Sequence, residues 1–156
     1  MKLSIRRAIM SDAKDIINIL LSNQKFKNCY ETMPMTINEC ALFVMNYFTP
    51  GHFMYVVTDN DRIVCTFFHK FYGNNFVDVH KHTHLDYIGK GIGTELTRLD
   101  TEACAGLVVM GMTPETNTMA MQCRINNGYT VLGTIPFSWD NGHELIGRIV
   151  SYKVCE

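Results

Sequence analysis

The stretch Ile88-Gly89-Lys90-Gly91-Ile92-Gly93-Thr94 places three glycines in five positions, between a run rich in β-branched and aromatic residues and a segment of helical pattern. Glycines at this spacing let the backbone approach a ligand closely and adopt positive φ, so that successive N–H groups converge on an anion. The helix that follows adds the positive end of its dipole, which favours phosphate oxygens. A strand-to-helix turn also needs glycines for purely local reasons, so the rest of the chain has to decide what this one does.

At 156 residues the chain is expected to be one domain, burying about two-thirds of its unfolded surface. A formal net charge of -1 gives no broad basic field, so nucleic acid is not the expected partner. No run approaches the ~18 apolar residues of a membrane span, and Met1 to Met10 carries Lys2, Arg6 and Arg7 without a signal-type apolar core. These readings point to a soluble, cytoplasmic protein. The cysteines at 29, 40, 65, 104, 123 and 155 form no C-x-x-C pair, and several sit in apolar runs, so they read as buried free thiols without zinc-ribbon spacing.

Outward from the glycines, Lys2 to Arg7 alternates as a strand. Ser11 is expected to cap a helix from Asp12 that carries Ile16, Ile17, Leu20 and Leu21. A polar stretch from Ser22 to Pro34 follows. Thr36-Ile37-Asn38-Glu39 has capping-box spacing and predicts a helix from Ile37 to Phe48. Phe53–Thr58, Arg62–Phe71 and Phe76–Thr83 read as three antiparallel strands, turned at Asp59-Asn60-Asp61 and Gly73-Asn74-Asn75. Helices are predicted over Thr94–Cys104 and Asn117–Asn127, with Leu107–Met112 between them as a strand buried on both faces. Tyr129–Ile135 and Glu144–Val154 close the chain as strands joined through Pro136 and Asp140-Asn141-Gly142. The class is α+β, a mixed three-layer domain with a mostly antiparallel sheet of about seven strands and about four helices.

With both segments placed, the chain resembles the GNAT-type N-acetyltransferases, over nearly its whole length. The family's pyrophosphate loop, Q/R-x-x-G-x-G/A, is similar to the segment ending in Gly91-Ile92-Gly93. A second motif, roughly N-x-x-A-x-x-L-Y-x-x-x-G-F, is similar to Asn117, Ala120, Cys123, Arg124, Gly128 and Tyr129, without a gap. The resemblance implies an acyl-CoA N-acyltransferase fold and transfer of acetyl from acetyl-CoA directly to an amine of a small molecule or peptide. It implies pyrophosphate on the backbone of Gly89, Lys90, Gly91, Ile92, Gly93 and Thr94, with Ile88 at the opening of the loop and Asn117 near the cofactor. It further implies pantetheine along Lys81, His82 and Thr83, where a backbone N–H meets the thioester carbonyl as an oxyanion donor. Dimerisation through the terminal strand is common in the family.

Two positions depart from the pattern. Ile88 stands where the family has Gln or Arg, with Lys90 as the nearby replacement charge. Arg124 stands where many members place the tyrosine that protonates the departing thiolate; an arginine offers charge rather than a proton, leaving water as the proton source. Both departures support an alternative reading, a coenzyme A-binding module with little turnover. The amine needs a base, for which Asp78, His80, His82 and Glu115 are candidates. Acetyl transfer needs no metal, but His80-Lys81-His82-Thr83-His84 puts three imidazoles on one side of an extended strand, a spacing that suits a shared Zn²⁺. The acceptor cleft is expected at Phe26–Met35 and Phe137–Asn141, with Tyr30, Glu31, Phe137 and Trp139.

Overall fold

The computed structural model describes residues 1–23, 36–137 and 146–156. In chain order these form β1 (Leu3–Arg7), a 3-10 turn (Met10–Asp12), α1 (Ala13–Asn23), α2 (Ile37–Asn46), β2 (His52–Asp59), β3 (Arg62–Tyr72) and β4 (Phe76–Thr83). A second 3-10 turn (Leu85–Tyr87) leads to α3 (Gly93–Ala103), β5 (Val108–Pro114), α4 (Thr118–Asn126), β6 (Thr130–Phe137) and β7 (Ile146–Val154). One sheet joins all seven strands in the order β1-β2-β3-β4-β5-β7-β6. Every pair is antiparallel except β4–β5, which is parallel and matches only Phe76, Val77 and Asp78 with Val108, Val109 and Met110. Beyond those three pairs the two strands no longer pair, and the sheet opens at its centre.

Strand alternation sends side chains into two cores. On one face Met54, Val56 and Phe68 pack with Ile16, Ile19, Cys40 and Val44 from α1 and α2. On the other, Phe53, Val57, Phe67, Val77, Val79 and Val109 pack with Leu96 from α3, with Cys104 just after it and with Tyr129. The sequence-predicted start of α2 is present: Thr36 Oγ1 accepts from Glu39 N at 3.3 Å while Thr36 N donates to Glu39 Oε2 at 2.6 Å. Among the described residues no helix is long and apolar enough to cross a membrane.

Two expectations are corrected. Ser11 does not cap α1: Ile9 N donates to Asp12 Oδ2 at 2.8 Å, and Arg6 grips both Asp12 oxygens at 2.7 and 2.8 Å, so the chain enters through the 3-10 turn. Strand β5 is not buried on both faces, because Val109 is fully buried while Val108, Met110 and Met112 are only partly so. The terminal strand β7 lies between β5 and β6, and β1 and β6 are the two outer strands of the described sheet. The expected acceptor segment Phe26–Met35, with Tyr30 and Glu31, lies outside the described residues, as do Trp139 and the turn at 140–142.

Candidate functional site

The glycine stretch folds as the local rules require. Gly89 and Gly91 have φ of 75° and 76°, conformations that cost a side-chain-bearing residue free energy, and a Cβ at either would meet nothing within 4 Å. Gly93 has a different reason to be glycine. A Cβ there would come within 2.7 Å of Cys123 Sγ, so its absence lets α3 and α4 approach closely. Helix α3 begins at Gly93 with no side-chain cap, which leaves the N–H groups of its first turn for solvent or ligand. The loop is braced from behind. Arg62 Nη2 donates to Asp86 Oδ2 at 2.7 Å, Tyr87 Oη donates to Asp59 Oδ2 at 3.3 Å, and Arg62 lies 5.6 Å over the Tyr87 ring. The Arg62 guanidinium holds the Asp86 carboxyl below the usual carboxylate range.

A cavity of about 410 Å³ opens between this loop, β4 and the start of α4. Of the residues singled out from sequence, Lys81, Thr83, Ile88, Gly89, Gly91, Ile92, Gly93, Thr94 and Asn117 line it. Lys90 is exposed and outside the lining, and His82 is outside it too. Asn117 caps α4, its Oδ1 accepting from Ala120 N at 3.2 Å, so the second motif starts its helix at the cavity wall. Sequence reasoning did not assign Tyr87, Leu96, Met119, Gln122 or the motif residues Ala120 and Cys123 to the cofactor site. Met119, Gln122 and Cys123 share an i, i+3, i+4 stripe of α4, the signal that places them on the face turned to the loop.

The polar residues of β4 divide by parity. Lys81 and Thr83 pair with Phe67 and Cys65 in register and share their face, the cavity side. Asp78, His80 and His82 face the α1–α2 side. There the His82 ring packs edge-on to Phe68 at 5.6 Å, and His80 Nε2 donates to Asp78 Oδ2 at 3.1 Å. Burial, with His80 beside it, pushes the His82 ring down to about 3, so it is neutral at physiological pH.

The shared-zinc expectation for His80, His82 and His84 is contradicted. Strand β4 ends at Thr83, and His84 turns away to cap the next 3-10 turn, its Nδ1 accepting from Asp86 N at 3.2 Å. Among the described residues, the one group of three side chains placed closely enough to share a metal is His69, Asp100 and Cys104. That cluster is buried in the α3-side core, with His69 Nε2 2.9 Å from Asp100 Oδ1 and 3.4 Å from Cys104 Sγ.

Arg124 lies outside the cavity lining. Its guanidinium spreads over Gly111 of β5, where a Cβ would meet Nη2 at 2.1 Å, donates to Ser151 Oγ at 3.4 Å, and stands 5.1 Å over the Tyr129 ring. Burial lowers its pKa, and Tyr129 raises it. A glycine inside a strand marks close approach of another group, and Gly111 is the sequence signal for this seat. Gly147 repeats the device on β7, where a Cβ would meet Glu115 Oε1 at 2.1 Å. The structure therefore gathers the loop, Lys81, Thr83 and Asn117, and sets Asp78, His82, Glu115 and Arg124 around them rather than among them.

No family model matches the sequence, and no curated protein matches it. Solved structures do match in fold. One is a spermidine N-acetyltransferase from Vibrio cholerae in complex with CoA and spermine, 13% identical over 98% of this chain and 95% of that one, with a TM-score of 0.81. A second is a GNAT superfamily phosphinothricin acetyltransferase from Sinorhizobium meliloti in complex with acetyl-CoA, 15% identical over 98% and 88%, TM-score 0.77. A GCN5-related N-acetyltransferase from Kribbella flavida is 21% identical over 97% of each chain, TM-score 0.76. The chain has the GNAT fold: among the described residues, a seven-stranded, mostly antiparallel sheet with four helices.

Proposed function

We propose that the protein transfers an acetyl group from acetyl-CoA to an amine, with the cavity beneath the glycine loop as the coenzyme A site. The observation that carries this reading is the convergence of three elements on one cavity: two positive-φ glycines, an uncapped helix start and the parting end of β4. The pyrophosphate rests on N–H groups of Gly89 to Thr94, where charge, dipole and open backbone all favour an anion. Pantetheine runs along Lys81 to Thr83, and a backbone N–H there faces the developing oxyanion. The acceptor nitrogen bonds to the carbonyl carbon as the C–S bond breaks; its proton passes to water, and coenzyme A leaves as the thiolate. Arg124 enters as a buried cation that eases the thiolate's charge, with water as the proton source. His82, neutral and on the other face, is not the base in this reading. The acceptor is an amine of a small molecule or peptide. Support comes from the fold neighbours, whose printed names are acetyltransferases, two of them with coenzyme A or acetyl-CoA bound.

Ile88 favours a second reading, a coenzyme A-binding module without turnover, because it lines the cavity with hydrocarbon where the family motif carries Gln or Arg. Titration with acetyl-CoA followed by thiol release over an amine panel separates the two. Release with any amine supports the transferase, tight binding without release supports the module, and no binding overturns both. An Arg124→Ala variant with unchanged kcat removes Arg124 from the chemistry.

A further inference from the structure

We infer that Lys81 is itself an acyl acceptor, so that the chain acetylates its own Lys81 from acetyl-CoA bound in the cavity. The inference rests on the acetyl-CoA reading above. Lys81 belongs to the cavity wall, yet its side chain is packed between β4 and α3, where Nζ donates to Thr97 Oγ1 at 3.2 Å. The Thr97 hydroxyl spends its own hydrogen on Gly93 O at 2.9 Å, so it accepts from Lys81 and gives nothing back. When the amine is neutral, its lone pair is therefore not engaged by Thr97. Among the described residues the ion pairs are those of Arg6, Arg62, His69, His80, His84 and Arg98, and none includes the Lys81 amine. Burial lowers its pKa, the largest influence on it, so the neutral, nucleophilic form is more populated than at a surface lysine.

Lys81 lines the cavity in which the acetyl-CoA reading puts the thioester, so in that reading amine and thioester share one space. The step balances without a further reactant. The neutral Nζ bonds to the carbonyl carbon, the C–S bond breaks, the nitrogen loses a proton to water, and coenzyme A departs as the thiolate, leaving Nε-acetyl-Lys81. The product is an amide that no longer carries charge and that occupies space in the cavity. The modification is a single turnover per chain, and it weakens later coenzyme A binding.

The test incubates the purified full chain with acetyl-CoA and no amine. It follows intact mass and mapped peptides over time, with coenzyme A binding measured by calorimetry on the same sample. The expected result is one acetyl group per chain on Lys81, formed at least about tenfold faster than on the exposed Lys90, as a held thioester requires. Heat-unfolded protein, in which both lysines meet acetyl-CoA from solution, loses that preference. Lys81→Arg keeps a cation at the position and takes up no fast acetyl group; because the mapping is done on the natural chain, the result stands even if this variant folds poorly. Coenzyme A binding without acetyl-Lys81, or equal labelling of Lys81 and Lys90, overturns the inference while leaving the cavity reading intact. Absence of coenzyme A binding overturns both.

Discussion

Lys81 and His82 are consecutive in β4, and they live in different solvents. Lys81, with Thr83, looks toward α3 and a cavity; His82, with Asp78 and His80, looks toward α1 and α2 and a packed aromatic cluster of Phe43, Tyr47 and Phe68. Lys81 lines a space that a ligand can enter, and its amine is held on Thr97. The imidazole is walled in and neutral. One peptide unit separates a group suited to chemistry from a group suited to packing, because successive strand side chains point to opposite faces. Residue type alone would rank the histidines first, and burial reverses the ranking.

The sharpest way to break this separation is to damage one face and read the other. Phe68 is fully buried on the His82 face, so Phe68→Ala should cost about 3–5 kcal/mol in denaturant unfolding. Coenzyme A affinity per folded molecule should stay near that of the natural chain. A variant equally stable, or one that folds yet loses coenzyme A binding, would show that the two faces are not independent. The reverse experiment is Gly91→Val. With φ at 76°, a β-branched residue strains the loop by about 1–3 kcal/mol, and coenzyme A affinity should fall at least about tenfold with the sheet intact by circular dichroism.

A gentler probe is the titration of His82. Its pKa is about 3 in the folded chain against an ordinary 6.5, so the unfolded chain takes up a proton that the native ring refuses. The stabilisation is complete above pH 6.5 and is lost as pH falls toward 3, by about 1.4 kcal/mol per pH unit across that window. In His82→Gln the fall of unfolding free energy from pH 6.5 toward 4 should be shallower than in the natural chain; parallel curves would show that His82 is not shielded. The smallest effect is expected at Thr36→Ala. This removes one half of the capping box of α2 and should cost about 1 kcal/mol while leaving coenzyme A binding unchanged.

Much of this was legible in the sequence because it depends on near neighbours along the chain. The Thr36–Glu39 box, the turn at Asn60-Asp61 and the glycine turn after β4 are all local, and the alternation of β2 to β4 carried their pairing. The cap at Ser11 was misread for the opposite reason: Arg6, brought alongside from β1, takes hold of Asp12 and redirects the helix entry. Leu107–Met112 read as buried on both faces from its apolar run, but β5 pairs with β4 over only three positions, and that opening is invisible to composition.

What the sequence alone determined is the order of elements and the backbone of the loop, since glycine spacing, caps and periodicity act over a few residues. Which side chains meet in the site was decided by the tertiary structure. The pleat fixes which β4 residues face α3, the close approach at Gly93 brings Cys123 of α4 to the loop, and the bare backbone at Gly111 gives Arg124 a seat outside the cavity. These are contacts between segments far apart in the chain, set by sheet register and packing, which no local pattern records.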